Sequence, residues 1–304
     1  MEPTAAQPHS AEYFGESRDH WWNPSQVARM LDEWCLRGAR TILDVGCGVG
    51  HWGRVLMPHL APEATLVGVD REPEWVVEAT RRASNAGLGE RAKYQRATAE
   101  SLPFPNAAFD LVTCQTVLIH LADPRAGIRE MLRVLRPGGA LLVAEPNNMV
   151  NTVVHSNVTA NDPIESRVAY IRLQLTCERG KANLGLGNNS VGDLVPGMFA
   201  EAGLEGIAVR LNERGSPLIP PYSGPGQRAV LDELEKWSER EFWCWDKAET
   251  HSYFVAGGGR AEDFEAMWLI AMDLQRRDVA AARAGTYAYA GGGVGYLIVG
   301  RKPT

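Results

Sequence analysis

The stretch Ile42-Leu43-Asp44-Val45-Gly46-Cys47-Gly48-Val49-Gly50 constrains this chain more than any other. An apolar run the length of a buried strand passes into a turn with glycine at alternate positions, and helical spacing follows over residues 50–58. Glycines there permit positive φ and let a ligand lie against bare backbone. Further apolar runs, Thr65–Val69, Ala92–Arg96, Leu111–Cys114 and Ala140–Ala144, join Thr41–Val45 in alternation with helical stretches at 73–86 and 124–135. Arg136-Pro137-Gly138-Gly139 stops the last of these helices. The alternation predicts βαβ units and a doubly wound, mostly parallel α/β sheet.

Around this core the pattern changes. Residues 1–12 are polar and read as a loose tail, and an amphipathic helix then starts at Asn23-Pro24, with Val27, Met30, Leu31, Trp34 and Cys35 on one face. Residues 148–185 read as helix or loop of mixed polarity. One more helix and strand are expected in DLVPGMFAEAGL and GIAVRLN, ahead of the linker SPLIPPYSGPGQ. Two strong helices follow, one carrying Val230, Leu231, Leu234, Trp237 and Trp245, the other Phe264, Met267, Trp268, Ala271 and Leu274 between Gly257-Gly258-Gly259 and Gly285. The strand-like VGYLIVGRK closes the chain.

Charge and cysteine usage exclude several roles. Lys and Arg number 31 against 37 Asp and Glu, a net charge of −6 without any block of like charges. Coating nucleic acid needs clustered cations, so no nucleic-acid partner is expected. The 5 cysteines are scattered with no C-x-x-C pair, which suggests neither a disulfide framework nor a zinc site. No metal-ligand set is visible. No apolar run spans a bilayer and no leader pattern precedes the first helix, so the expectation is a cytoplasmic chain with no membrane partner.

The glycine turn alone does not choose its ligand. Gly48-Val49-Gly50-His51-Trp52-Gly53 also fits G-x-G-x-x-G, and Asp70 ends the next strand as a dinucleotide-binding fold requires. Asp44 bears on the choice. A carboxylate two residues before the first glycine repels a pyrophosphate but attracts the sulfonium and ammonium groups of S-adenosylmethionine. Asp70 can accept from ribose hydroxyls in either case. No Gly-Lys-Ser/Thr follows, which removes a phosphate-cradling loop.

With ILDVGCGVG, VGVD, AESLPFPNAAFDLV and REMLRVLRPGGALLVAEP in this order over most of residues 40–147, the chain resembles the class I S-adenosylmethionine-dependent methyltransferases, within them the ubiquinone/menaquinone-biosynthesis-like small-molecule branch. The resemblance implies a Rossmann-like, seven-stranded sheet whose last strand is antiparallel, with GIAVRLN and VGYLIVGRK as the terminal pair, and a helical cap. It further implies that Asp44, Gly46, Gly48 and Gly50 hold the methionine part of the cofactor. Asp70 and Arg71 would lie at its ribose, Thr98, Ala99 and Glu100 at its adenine, and Gln115 with Thr116 over the methionine moiety. One departure stands out: Thr98 occupies the place where many relatives carry an Asp that accepts from the adenine amine.

The implied division is an N-terminal helical lid segment (1–39), a cofactor-binding core (40–147), cap helices and sixth strand (148–215), a helical insertion that caps the substrate (216–290) and a terminal strand (291–304). Tyr13, Phe14, Trp21 and Trp22 either staple the N-terminal segment to the core or close over the cofactor, and Tyr13 is carried as a cofactor contact. His120, His155 and Glu145 are the candidate catalytic groups, the first because imidazole can take a proton near neutral pH. His51 and His59 are expected at the surface. The activity implied is direct in-line methyl transfer to a small-molecule acceptor, with oligomeric state open and a homodimer compatible. Three alternatives stay open: an NAD(P)-dependent oxidoreductase, a methyltransferase-like binding or regulatory protein without catalysis, and a methyltransferase of macromolecules.

Overall fold

β-branched and leucine-rich runs flanked by glycine, proline and aspartate make short strands that must be covered on both faces. The computed structural model describes residues 13, 15–212, 215, 217–291 and 293–304. The tail expected over 1–12 and Phe14 lie outside the described residues. Strands β1 (Thr41–Val45), β2 (Thr65–Asp70), β3 (Ala92–Arg96), β4 (Phe109–Gln115), β5 (Leu135–Pro146), β6 (Glu205–Leu211) and β7 (Gly295–Arg301) form one sheet in the order β3-β2-β1-β4-β5-β7-β6. Strands β1 to β5 pair in parallel, while β7 runs antiparallel to both β5 and β6. This is the seven-stranded sheet with an antiparallel last strand that the motifs imply.

The chain divides into two compact units. The sheet belongs to the unit built from Trp22–Asn148, Gly185–Glu213 and Gly293–Thr304. Neighbouring residues of each strand point to opposite faces, so Leu43 and Val45 bury with α4 (Pro124–Val134) and α6 (Val195–Glu201), through Ile128, Met131, Val195 and Phe199. Ile42 faces the other way, toward Trp52 and Leu56 of α2 (His51–Leu56) and Val27, Met30 and Leu31 of α1 (Pro24–Glu33). Helix α3 (Pro73–Asn85) adds Ala83 to this side. The helix expected in an N-terminal lid segment is thus part of the sheet unit, because its apolar face is completed by β1 and α2. Helix α4 ends at Val134, just before residues 136–139 as expected, but those residues themselves lie inside β5, where the pairing jumps from Phe109 with Leu135 to Leu111 with Ala140.

The second unit comprises Met1–Trp21, Met149–Leu184 and Arg214–Gly292. Its helices are α5 (Ile164–Asn183), α7 (Pro225–Glu239), α8 (Lys247–Ala256) and α9 (Ala261–Arg283). Residues 149–184 therefore share a unit with the insertion rather than with the sixth strand. Trp245, expected on the helix that carries Trp237, lies beyond its end, and α8 is an additional helix capped by Asp246, whose side chain accepts from the Glu249 amide at 2.8 Å. Trp243, Trp245, Tyr253, Phe254, Phe264 and Trp268 pack together with Leu173 and Cys177 as the core of this unit. Among the described residues no helix is long and apolar enough to cross a membrane.

Candidate active site

The carboxyl ends of the parallel strands put the motif residues on one edge. Val45 pairs with Val69 on one side and Cys114 on the other, so Gly46, the residue after β1, stands level with Asp70 and Gln115, the last residues of β2 and β4. Ligands of doubly wound sheets bind at this edge, where the strand order reverses between β1 and β4.

The turn itself needs its glycines. Gly46, Gly48 and Gly50 have φ of 63°, 51° and 74°, and a Cβ on Gly46 would stand 2.4 Å from the Val117 side chain. Asp70 spans the turn: one carboxylate oxygen accepts the Gly48 amide at 2.8 Å and the other the Glu72 amide at 3.1 Å. Burial nevertheless pushes its carboxyl above the usual range, against those hydrogen bonds.

Asp44 is fully buried and accepts the Gly53 amide at 3.1 Å. Gly53 lies in the first turn of α2, so Asp44 caps that helix from the end of β1. The positive end of α2, which in a dinucleotide-binding fold meets the pyrophosphate, already faces a carboxylate. Burial together with the Asp44 and Asp70 charges raises the Cys47 thiol well above its ordinary value, so Cys47 is a packing residue. The spacing of Asp44 from the glycines signals its charge; its capping role could only be seen once α2 was placed.

The remaining expected residues divide between the units. Gln115 is buried, and its Oε1 has no hydrogen-bond partner. The next residue, Thr116, holds φ at 53°, a conformation that costs energy for a threonine and recurs at ligand sites. Glu145 is 1% exposed, and its Oε1 accepts the amides of Val117 and Leu118 at 2.8 Å each. His120 ends the following 3-10 turn, Leu118–His120. Thr98 is exposed and bridges to Ser101, Ala99 is half-buried, Glu100 is exposed, and the exposed Arg71 pairs with Glu72 at 3.1 Å. Tyr13 and His155 belong to the helical unit. Tyr13 packs edge-on against Trp237 with centroids 5.3 Å apart and donates to the Cys244 carbonyl, while His155 lies 2.7 Å from Arg167. His51, expected at the surface, is buried because it opens α2 beneath the turn. No group of acid, histidine and cysteine side chains among the described residues is arranged to hold a metal ion.

Known proteins place this geometry. Residues 43–143 match the family model described as a methyltransferase domain. An uncharacterized methyltransferase of Bacillus subtilis is 37% identical over 109 residues, 36% of this chain and 42% of that protein. The ubiquinone/menaquinone biosynthesis C-methyltransferase of Hahella chejuensis is 32% identical over 124 residues, 41% of this chain and 50% of that protein. The chain thus spans half or less of these relatives. A solved structure from Bacillus halodurans shares the fold at 20% identity with a TM-score of 0.52, covering 92% of this chain and 100% of that one. Over residues 43–143 the chain is similar to methyltransferase domains.

Proposed function

We propose that the chain methylates a small-molecule acceptor with S-adenosylmethionine. The observation that carries this reading is the Asp44 carboxylate, fully buried and capping α2 behind the glycine turn. A ligand that brings positive charge to this edge gains from it, and an anionic one loses.

The residues present fit that cofactor. Asp70 offers its carboxylate to the ribose hydroxyls, the bare backbone of Gly46, Gly48 and Gly50 lines the methionine part, and the unpartnered Gln115 Oε1 offers an acceptor beside it. Ala99 and Thr98 offer an amide and a hydroxyl to the adenine. The cofactor, when bound, supplies a methyl group activated on a sulfonium. The protein's share is orientation, worth an effective molarity of ~10⁵ M or more when donor and acceptor are aligned. Glu145 acts by positioning: its carboxylate fixes the turn that carries Val117 and Leu118. His120, at the end of that turn, is the group able to accept a proton near neutral pH. A small-molecule acceptor is supported by the Hahella chejuensis relative and by the net charge of −6.

Calorimetry tests the reading. S-adenosylmethionine and its demethylated product should both bind the purified chain, and NADH should not. Saturable NADH binding without adenosylmethionine binding overturns it.

A further inference from the structure

The helical unit contains a cavity of about 790 Å³ bounded by its own residues alone. Its walls bring residues of α5, α9 and the segments around Ser156 and Tyr287 together. Most of the polar groups there satisfy one another. Arg277 donates to both oxygens of Asp162 at 2.8 Å and, through Nε, to Asp273 at 2.9 Å. Arg167 lies against His155.

Asp278 is different. Its carboxylate lines the cavity and, among the described residues, receives hydroxyl hydrogen bonds alone, from Ser156 at 3.4 Å and from Tyr287. The neighbouring Arg277 is already matched by two acids. Counting the cavity walls, Asp162, Asp273 and Asp278 oppose Arg167 and Arg277, an excess of one negative charge. Three tyrosines share the walls, Tyr170, Tyr287 and Tyr289, the last two with ring centroids 5.4 Å apart. Leu269 and Val154 also line it, yet they stay 57% and 42% exposed. Apolar side chains held open beside a carboxylate of excess charge and several aromatic faces make a binding site rather than a packing defect.

We propose that this cavity binds a small organic cation: an amine or quaternary ammonium group held by Asp278 and the tyrosine faces, with an apolar body against Leu269, Val154 and Leu274. Aromatic faces attract such cations through their quadrupole, and a carboxylate adds a charge-assisted contact. Burial pushes the Asp278 carboxyl up to about 6 against the opposing pull of its hydrogen bonds and of Arg277, so its ionised form gains from a further cation in contact. The proposal stands independently of the methyl-transfer reading, since every residue it uses lies within the helical unit.

The test uses the full chain and a series of arylalkyl cations, from benzyltrimethylammonium to tryptamine, titrated by calorimetry. Tryptophol and indole-3-acetate serve as neutral and anionic counterparts of tryptamine. A cation of the series should bind saturably and tryptamine at least about tenfold more tightly than either counterpart, the ratio expected for one charged contact. Asp278→Asn should erase that preference, and Tyr289→Leu should weaken the cations while sparing tryptophol. Adenosylmethionine binding, measured on the same samples, reports folding and tests the methyl-transfer reading separately. Equal binding of tryptamine and tryptophol, a preference for the carboxylate, absence of saturable cation binding, or full retention of the preference in a folded Asp278→Asn each overturns the proposal.

Discussion

The carboxylate of Asp70 accepts the backbone amide of Gly48 at 2.8 Å, tying the end of β2 to the turn that follows β1. The acid that resemblance assigns to the ribose is therefore also a brace for the glycine turn, and its substitution acts twice. Asp70→Ala should weaken S-adenosylmethionine and its demethylated product alike by about 1.5 to 3 kcal/mol, the range for hydrogen bonds to a charged group. Asp70→Asn keeps an acceptor for the Gly48 amide and should lose less. Calorimetry on both variants reads the difference, and undiminished affinity in Asp70→Ala removes this residue from the site.

Glu145 accepts two backbone amides with one oxygen. Glu145→Ala strands both donors in a buried turn and should cost about 2 to 4 kcal/mol of stability. Glu145→Gln retains a carbonyl acceptor at that place and should stay close to wild type in melting temperature and in turnover. A stable Glu145→Gln protein with turnover lost and the acidic limb of its pH profile removed would instead make Glu145 a proton acceptor.

How much of this was legible beforehand differs between the units. In the sheet unit, strands β1 and β3 fall where the apolar runs put them, and β2 extends one residue to Asp70, because each run is bounded by turn residues; β1 is buried on both faces, while the edge strand β3 buries only Ala92. Strand β5 hid its first residues, since Arg136-Pro137-Gly138-Gly139, which does follow the end of α4, reads as a turn yet is absorbed into the strand as an irregularity against β4. In the helical unit, Trp245 follows Trp237 at helical spacing without sharing its helix. That segment is specified by Trp243 and Trp245 packing into a core shared with Tyr253, Phe264 and Trp268, which one-dimensional periodicity does not carry. The Asp44 charge was visible from spacing alone, whereas its hydrogen bond to Gly53 depended on where α2 begins. Asp278 gave no local signal at all; its partner Ser156 comes from a distant part of the chain, and Tyr287 returns to it only after the helix has ended.

Helices α5 and α8 touch backbone to backbone. A Cβ on Gly180 would lie 1.6 Å from the Tyr253 carbonyl oxygen, and one on Gly257 would lie 1.9 Å from that of Thr176. Neither carbonyl is the tip of a flexible side chain, so the helices must separate to admit a methyl group. Gly180→Ala and Gly257→Ala should each destabilise by about 3 kcal/mol or more, beyond ordinary overpacking of a core. Gly197→Ala is the control, because a Cβ there meets nothing within 4 Å. Urea unfolding of the three variants checks this, and a wild-type midpoint for Gly180→Ala would rule out the close contact.

Asp278 links stability to pH with a defined sign. Burial raises its carboxyl from 3.8 to about 6, opposed by hydrogen bonds from Tyr287 and Ser156 and by the Arg277 charge, and assisted by Asp162. The folded chain binds this proton more tightly than the unfolded chain, so the contribution is fully present below about pH 4 and is lost as pH rises through about 6. Above that range the ionised carboxylate costs on the order of 3 kcal/mol before solvent access is allowed for. Asp278→Asn carries no such charge and should therefore be more stable than wild type at pH 7.5, by about 1 to 2 kcal/mol once partial solvent access is allowed for. The gap should close toward pH 4. An organic cation in the cavity supplies a further counter-charge, so saturating benzyltrimethylammonium should narrow the same gap at pH 7.5 by stabilising wild type more than the variant. Unfolding curves at both pH values, with and without the cation, measure all of these terms, and a variant less stable than wild type at pH 7.5 contradicts the assignment of Asp278 as a buried, uncompensated acid.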